Sequence, residues 1–258
     1  MSAKSQPVPR PIIRLQPVRP VRDFRAVHHR PFAVNLVLIG PPGAGKGTQA
    51  ARLARALAVP VISTGDMLRT AVQADTPVGR VVKAIMERGE LIGDEMMTEI
   101  VAARLRGVDT LRGCVLDGFP RTVEQAIALD GLMAHRGLLI VAELAVPETA
   151  LIRRLNQRRV CERCGTNAAP ADCVNGSAGD STGTEPTGTA RCHCGGTLQS
   201  RLDDHEEVAR ERLRVYERAT RPLVDFYRQR RMLRVVDGTL APDLVTTHIA
   251  RAIITSSR

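Results

Sequence analysis

"FAVNLVLIGPPGAGKGT", residues 32 to 48, decides the fold. A short run of branched apolar side chains stops at Gly40 and gives way to a glycine-rich turn. Helical spacing follows in "KGTQAARLARALA", residues 46 to 58. An apolar run bounded by turn residues predicts a buried strand, so the stretch reads strand, loop, helix. The loop nearly fits G-x-x-x-x-G-K-[ST]: Gly40, Gly45 and Lys46 match, Gly47 comes next, and the hydroxyl arrives one residue late at Thr48. Such a turn leaves the N–H groups around Gly43, Ala44 and Gly45 free to cradle phosphate oxygens. The helix that follows adds its positive end, and Lys46 adds a point charge. In the strict motif the hydroxyl holds Mg²⁺, so Thr48 is expected to contact phosphate only.

The same texture repeats outward. "VPVIS" at 59 to 63 leads into a helix from "TGDMLRTAV", and two helical stretches follow near 78–88 and 94–106. "GCVLDGFP" at 113 to 120 and "LLIVAELAV" at 138 to 146 read as strands, each followed by a helix. "DDHEEVARERLRVYERAT" and "RPLVDFYRQRR" read as helices, "MLRVVDG" as a last strand, and 241–255 as a last helix. Strands alternating with helices predict a doubly wound parallel sheet of about five strands with helices on both faces, a P-loop NTPase-type α/β fold. Ligands of such sheets bind at the carboxyl edge, so the turns after 39, 62 and 117 are expected to meet there. Met86, Met96 and Met97 are expected to fill core, and Cys114 to behave as a small hydrophobe.

Composition narrows the partners. Of 258 residues 43% are apolar, Trp is absent, and Tyr and Phe together number six, so the core must be aliphatic. No apolar run approaches eighteen residues and no secretory h-region is visible, so neither a membrane span nor disulfides are expected. The net charge of +10 invites a nucleic-acid reading, but residues 1–33 carry seven basic residues against Asp23 alone. That Pro/Arg-rich stretch reads as a disordered, solvated tail, with a targeting peptide or a polyanion-binding arm as the alternatives. Without aromatic stacking residues or a groove-reading motif, no specific nucleic acid is expected.

Four motifs, "GPPGAGKGTQA", "STGDMLR" at 63–69, "LDGFPRT" at 116–122 and "RLDDHEE" at 201–207, resemble those of adenylate kinases in order and spacing. The resemblance covers roughly 34–255. It implies transfer of the γ-phosphoryl of Mg-ATP to AMP, giving two ADP; a cytoplasmic location is expected, and a monomer, since no apolar stripe is left over. It further implies a core at 34–255 with an AMP-binding insert near 63–93 and a LID near 159–199. Residue by residue, it gives the ATP phosphates to Gly43, Ala44, Gly45, Lys46, Gly47 and Thr48, with Arg154 on the ATP adenine and Arg158 on the transferring phosphates. AMP falls to Thr64, Arg69, Gly118, Arg121 and the adenine-reading Gln125. Arg201 and Arg212 are further phosphate clamps, and Asp117 orients Mg²⁺ through water. Asp203 and Asp204 match an acidic pair beside the LID hinge. Lys46, Arg121, Arg158, Arg201 and Arg212 form the catalytic set. Arg154 and Arg158, four apart, are expected on one helix face.

Residues 161–196 hold five of the six cysteines. Cys161-x-x-Cys164 fits one half of a zinc clip, whereas Cys192-x-Cys194 is offset: Arg191 stands where the family's third ligand belongs. The expected set is Cys161, Cys164, Cys192 and Cys194 around a structural Zn²⁺, with His193 or Cys173 as substitutes and a metal-free thiol LID as the rival. Two other readings are a GTP-using or other nucleoside monophosphate kinase, and a P-loop switch protein that would leave Arg69 and Arg121 without a purpose.

Overall fold

The computed structural model describes residues 33–75, 77–163, 167–168, 191–200 and 206–255. The tail, Cys164, Cys173, Arg201, Asp203 and Asp204 lie outside the described residues. The elements are β1 (Val34–Ile39), α1 (Lys46–Leu57), β2 (Val61–Ser63), α2 (Thr64–Gln73), α3 (Pro77–Glu87) and α4 (Asp94–Leu105). Then come β3 (Gly113–Asp117), α5 (Val123–Met133), β4 (Leu138–Ala145), α6 (Glu148–Gln157), and three short strands, β5 (Arg159–Cys161), β6 (Asn167–Ala168) and β7 (Leu198–Gln199). The chain closes with α7 (Glu206–Val215), α8 (Arg221–Gln229), β8 (Leu233–Asp237) and α9 (Pro242–Thr255).

Five strands make one sheet in the order β2-β3-β1-β4-β8, every pair parallel. All six residues of β1 are buried, as a central strand covered on both faces requires. Val37 and Ile39 pack with Phe119, Leu129, Leu223 and Tyr227 on one face, while Leu36 and Leu38 pack with Leu53 and Ile249 on the other. The buried Asn35 is satisfied at the amino edge, where its Nδ2 donates to Arg136 O at 2.6 Å. Arg136 in turn donates to Thr110 O and Oγ1 at 2.9 and 2.7 Å, tying together the loops opposite the site.

Three local features depart from the sequence reading. Met97 is core at 5% exposure and Met86 packs against it, but Met96, at 43%, faces out from α4. Residues 159–199 carry a small antiparallel sheet, β6-β5-β7, too short to leave a periodic signal. The two predicted helices at 203–231 are joined through a π turn, Tyr216–Thr220, where Arg221 N–H donates to Tyr216 O, five residues back. Pro222 follows at the head of α8. Having no N–H, it cannot continue the α ladder, and the backbone widens instead. Among the described residues no helix is long and apolar enough to cross a membrane.

Candidate active site

The three glycine-marked turns converge at the carboxyl edge. After β1 the loop carries Gly43 at φ 83° and Gly45 at φ 96°, left-handed positions that a side chain would strain. Gly45 caps α1 without a side-chain hydrogen bond, so the helix start keeps bare N–H groups facing the loop. Lys46 Nζ reaches back and donates to Gly40 O at 2.7 Å and Pro41 O at 3.0 Å. Burial lowers the Lys46 pKa from 10.5 to about 7, Asp117 opposing the shift and Arg121, Arg212 and Arg158 reinforcing it. The residue as a whole is only half-buried. Its ammonium is what those neighbours crowd, and the crowding governs its desolvation. Thr48 is exposed on the first turn of α1.

Two clefts open here, of about 520 and 600 Å³. The first is walled by the phosphate loop and Lys46, with Tyr216 and Thr220 of the π turn opposite. The second is walled by Thr64, Arg69, Met86, Met97 and Gln125. They share Gly89, Leu91, Gly118, Arg121 and Arg212, so two phosphorylated ligands placed in them would meet between the two arginines. Arg121 is held by its Nε donating to Gly118 O at 2.8 Å. Gly118, at φ 86°, leaves room for it: a Cβ there would stand 2.7 Å from Thr64 Oγ1 and 3.1 Å from Arg121 Nη2. Arg69 folds over Gly65 and pairs with Asp66. The cap of α2 is Ser63, whose Oγ accepts from Asp66 N at 3.3 Å; this leaves the buried Thr64 facing the second cleft.

Arg154 donates to Gly238 O at 2.9 Å, fastening α6 to the end of β8. Arg158 does not share its helix face. The helix ends at Gln157, and Arg158 is an extended C-cap at φ −67°, ψ 131°, close enough to Lys46 to lower its pKa. The α-helical spacing fails because the chain turns there into β5. Sequence reasoning missed Gly89 and Leu91 between the clefts and the apolar floor from Met86 and Met97. A glycine two residues past the end of α3, Gly89 at φ 73°, was the one available signal, as a helix-stopping residue.

In the insert, the sulfurs of Cys161, Cys192 and Cys194 lie within 4.8 Å of one another, Cys161 and Cys194 at 3.4 Å. The offset is absorbed by a tight turn, with Cys192 N–H donating to Gly196 O at 2.9 Å and Gly195 N–H to Cys192 O at 2.8 Å. Arg191 instead donates to Gly195 O at 3.2 Å on the outside. Tetrahedral thiolates about 2.3 Å from zinc stand about 3.8 Å apart, so this donor set fits the ion. Gly196 makes the room, because a Cβ there would stand 2.6 Å from Cys161 Sγ.

A parallel α/β sheet with a phosphate loop after its central strand and two joined arginine-lined clefts defines a P-loop protein built for phosphoryl groups on both sides of one centre. A family profile described as Adenylate kinase matches residues 38–232. The chain is 45% identical to the adenylate kinase of Acidothermus cellulolyticus, covering 85% of this chain and 98% of that one. It is 44% identical to that of Archaeoglobus fulgidus (80% and 91%) and 43% to that of Moorella thermoacetica (85% and 98%). The chain belongs to the adenylate kinase family.

Proposed function

We propose that the chain moves the γ-phosphoryl of Mg-ATP to AMP, giving two ADP, with the donor phosphates on the loop after β1 and AMP in the second cleft. The observation that carries the reading is the pair of clefts sharing Arg121 and Arg212. Phosphoryl transfer asks little covalent chemistry of a protein; positioning and charge stabilisation do most of it. The loop N–H groups from Gly43 to Thr48 and the Lys46 ammonium take the donor phosphates, except the N–H of Ala44, which lines the loop but donates to Pro41 O at 3.1 Å. Arg69 and Arg121 take the AMP phosphate beside Thr64 and Gly118, and Gln125 reads the adenine. Arg121, Arg158, Arg212 and Arg201 surround the group in transit, and Arg154 lies against the donor base. The Asp117 carboxylate at the end of β3 would orient, through water, the Mg²⁺ brought with ATP, and the ion would supply positive charge to the polyphosphate. A GTP-using kinase is the reading not favoured by the relatives. The test is ADP formation from each donor with AMP, and from ATP with each other nucleoside monophosphate. ATP with AMP is expected to lead; a higher kcat/KM with GTP or with another acceptor reverses the assignment.

The insert is proposed as a LID whose tip is stiffened by zinc on Cys161, Cys164, Cys192 and Cys194, with hinges near 158 and 201. Closure would exclude water from the transferring group. Gly196→Ala is expected to cut bound zinc, measured by elemental analysis, from about one equivalent to a small fraction, because its Cβ meets Cys161 Sγ. Melting temperature should fall with the metal while kcat at 25 °C changes far less. Full zinc in the variant would mean that the cysteines are not the ligands.

A further inference from the structure

Gln125 has two partners of opposite chemistry. Its Oε1 accepts from the backbone N–H of Arg121 at 2.7 Å, and its Nε2 donates to Asp94 Oδ1 at 2.7 Å. The first contact is a variant of the capping box: Thr122 caps α5 by accepting from Gln125 N at 3.2 Å, and Gln125 reaches back past it. The second crosses to the first residue of α4, 31 positions away in sequence. Gln125 is 1% exposed, yet it borders the second cleft beside Arg69 and Arg121.

A backbone N–H can only donate and a carboxylate accepts, so the pair admits one orientation of the amide. Turned over, the amide would set its NH₂ against the Arg121 N–H and its oxygen against the Asp94 carboxylate. We propose that Asp94 is a positioning residue that determines acceptor specificity: by locking the Gln125 amide, it makes the second cleft accept adenine and reject 6-oxopurines. The proposal rests on the reading of that cleft as the AMP site. With one N–H and one lone pair committed to the protein, the amide keeps one of each, side by side and in fixed order. Adenine offers a donor amino group next to a ring-nitrogen acceptor, a bidentate match to such an amide. Hypoxanthine and guanine place an acceptor oxygen where adenine has its amino group, so the locked amide meets oxygen with oxygen. An amide free to turn over would pair with either.

Asp94→Asn separates locking from packing. Asparagine has the same shape, and its own amide can accept from Nε2 or, reversed, donate to Oε1. The hydrogen bond survives in both orientations, so position 94 no longer selects one of them, and the Arg121 N–H alone is left to oppose turning. Measured with AMP and with IMP at fixed ATP, the ratio of the two kcat/KM values is expected to fall about tenfold, carried by KM for each acceptor. Asp94→Ala, which removes the acceptor, should relax the ratio as well. Equilibrium binding of AMP and IMP to each variant without donor gives the same ratio independently of turnover. A ratio unchanged in Asp94→Asn, alongside a sharp rise in KM for AMP in Gln125→Ala, overturns the lock and leaves the cleft assignment standing. A Gln125→Ala variant with KM for AMP unchanged overturns the cleft assignment itself.

Discussion

Lys46→Met is expected to lower kcat by about 10²–10³-fold, the scale seen when one preorganised hydrogen-bond donor is removed from developing transition-state charge. The fold should survive, because Met fills much of the lysine stem's volume and, among the described residues, the ammonium donates to two loop carbonyls, Gly40 O and Pro41 O. The same variant should remove a pH dependence. In the unfolded chain Lys46 titrates near its ordinary 10.5, in the folded chain near 7, so the unfolded chain binds more protons between those values. Stability therefore rises with pH across that window and is lowest below it; Lys46→Met should flatten this part of the curve in denaturant titrations at successive pH. Polyphosphate binding reverses the shift by supplying negative charge. At pH 8, calorimetry in buffers of different ionisation enthalpy should find about one proton taken up per ATP bound, and far less in the variant. A kcat within a few-fold of the parent would remove Lys46 from the transfer site.

Arg121→Ala is the second large effect. Its guanidinium borders both clefts, so it should lower kcat by about 10²-fold or more and raise KM for AMP as well. Arg69 borders only the second cleft, and Arg69→Ala should act mainly on KM for AMP. Steady-state kinetics with AMP varied at saturating ATP separate the two patterns. Arg121→Lys is not expected to recover the loss: lysine cannot hold Gly118 O through a fixed Nε–H while turning a fork toward phosphate. Equal kcat losses in Arg69→Ala and Arg121→Ala would sink the view that Arg121 lies between the two ligands.

Much of this molecule is legible in its sequence, for local reasons. The parallel core announces itself through apolar runs that end in glycine, since a strand buried on both faces has no polar alternation to blur it. The phosphate loop, the two AMP-side motifs and their arginines sit within a few residues of those strand ends, so chain order already places them on one edge. What stayed hidden depends on contacts far apart in sequence or on short elements. The Asp94–Gln125 bond crosses two helices, and nothing at position 94 marks it beyond a good first-turn acid. The convergence of Cys192 with Cys161 depends on a backbone turn through Gly195 and Gly196 that spacing rules do not describe. Arg158 leaves its helix because a strand of three residues begins beside it, a boundary finer than periodicity resolves.

The π turn at Tyr216–Thr220 sets a phase. Each residue of an α-helix advances the face by about 100°, and one widened turn carries about one residue more than the α register would hold. That surplus lets Arg212, on the stretch before it, border the clefts while Leu223, Val224 and Tyr227, on the stretch after it, stay in the core. Glu217 and Arg218 are exposed and look dispensable one by one as side chains. As counted positions they are not, because deleting either would let the helix close into a regular ladder and swing Arg212 away from the two clefts. Positions 217 and 218 should thus tolerate substitution freely and tolerate changes in length hardly at all.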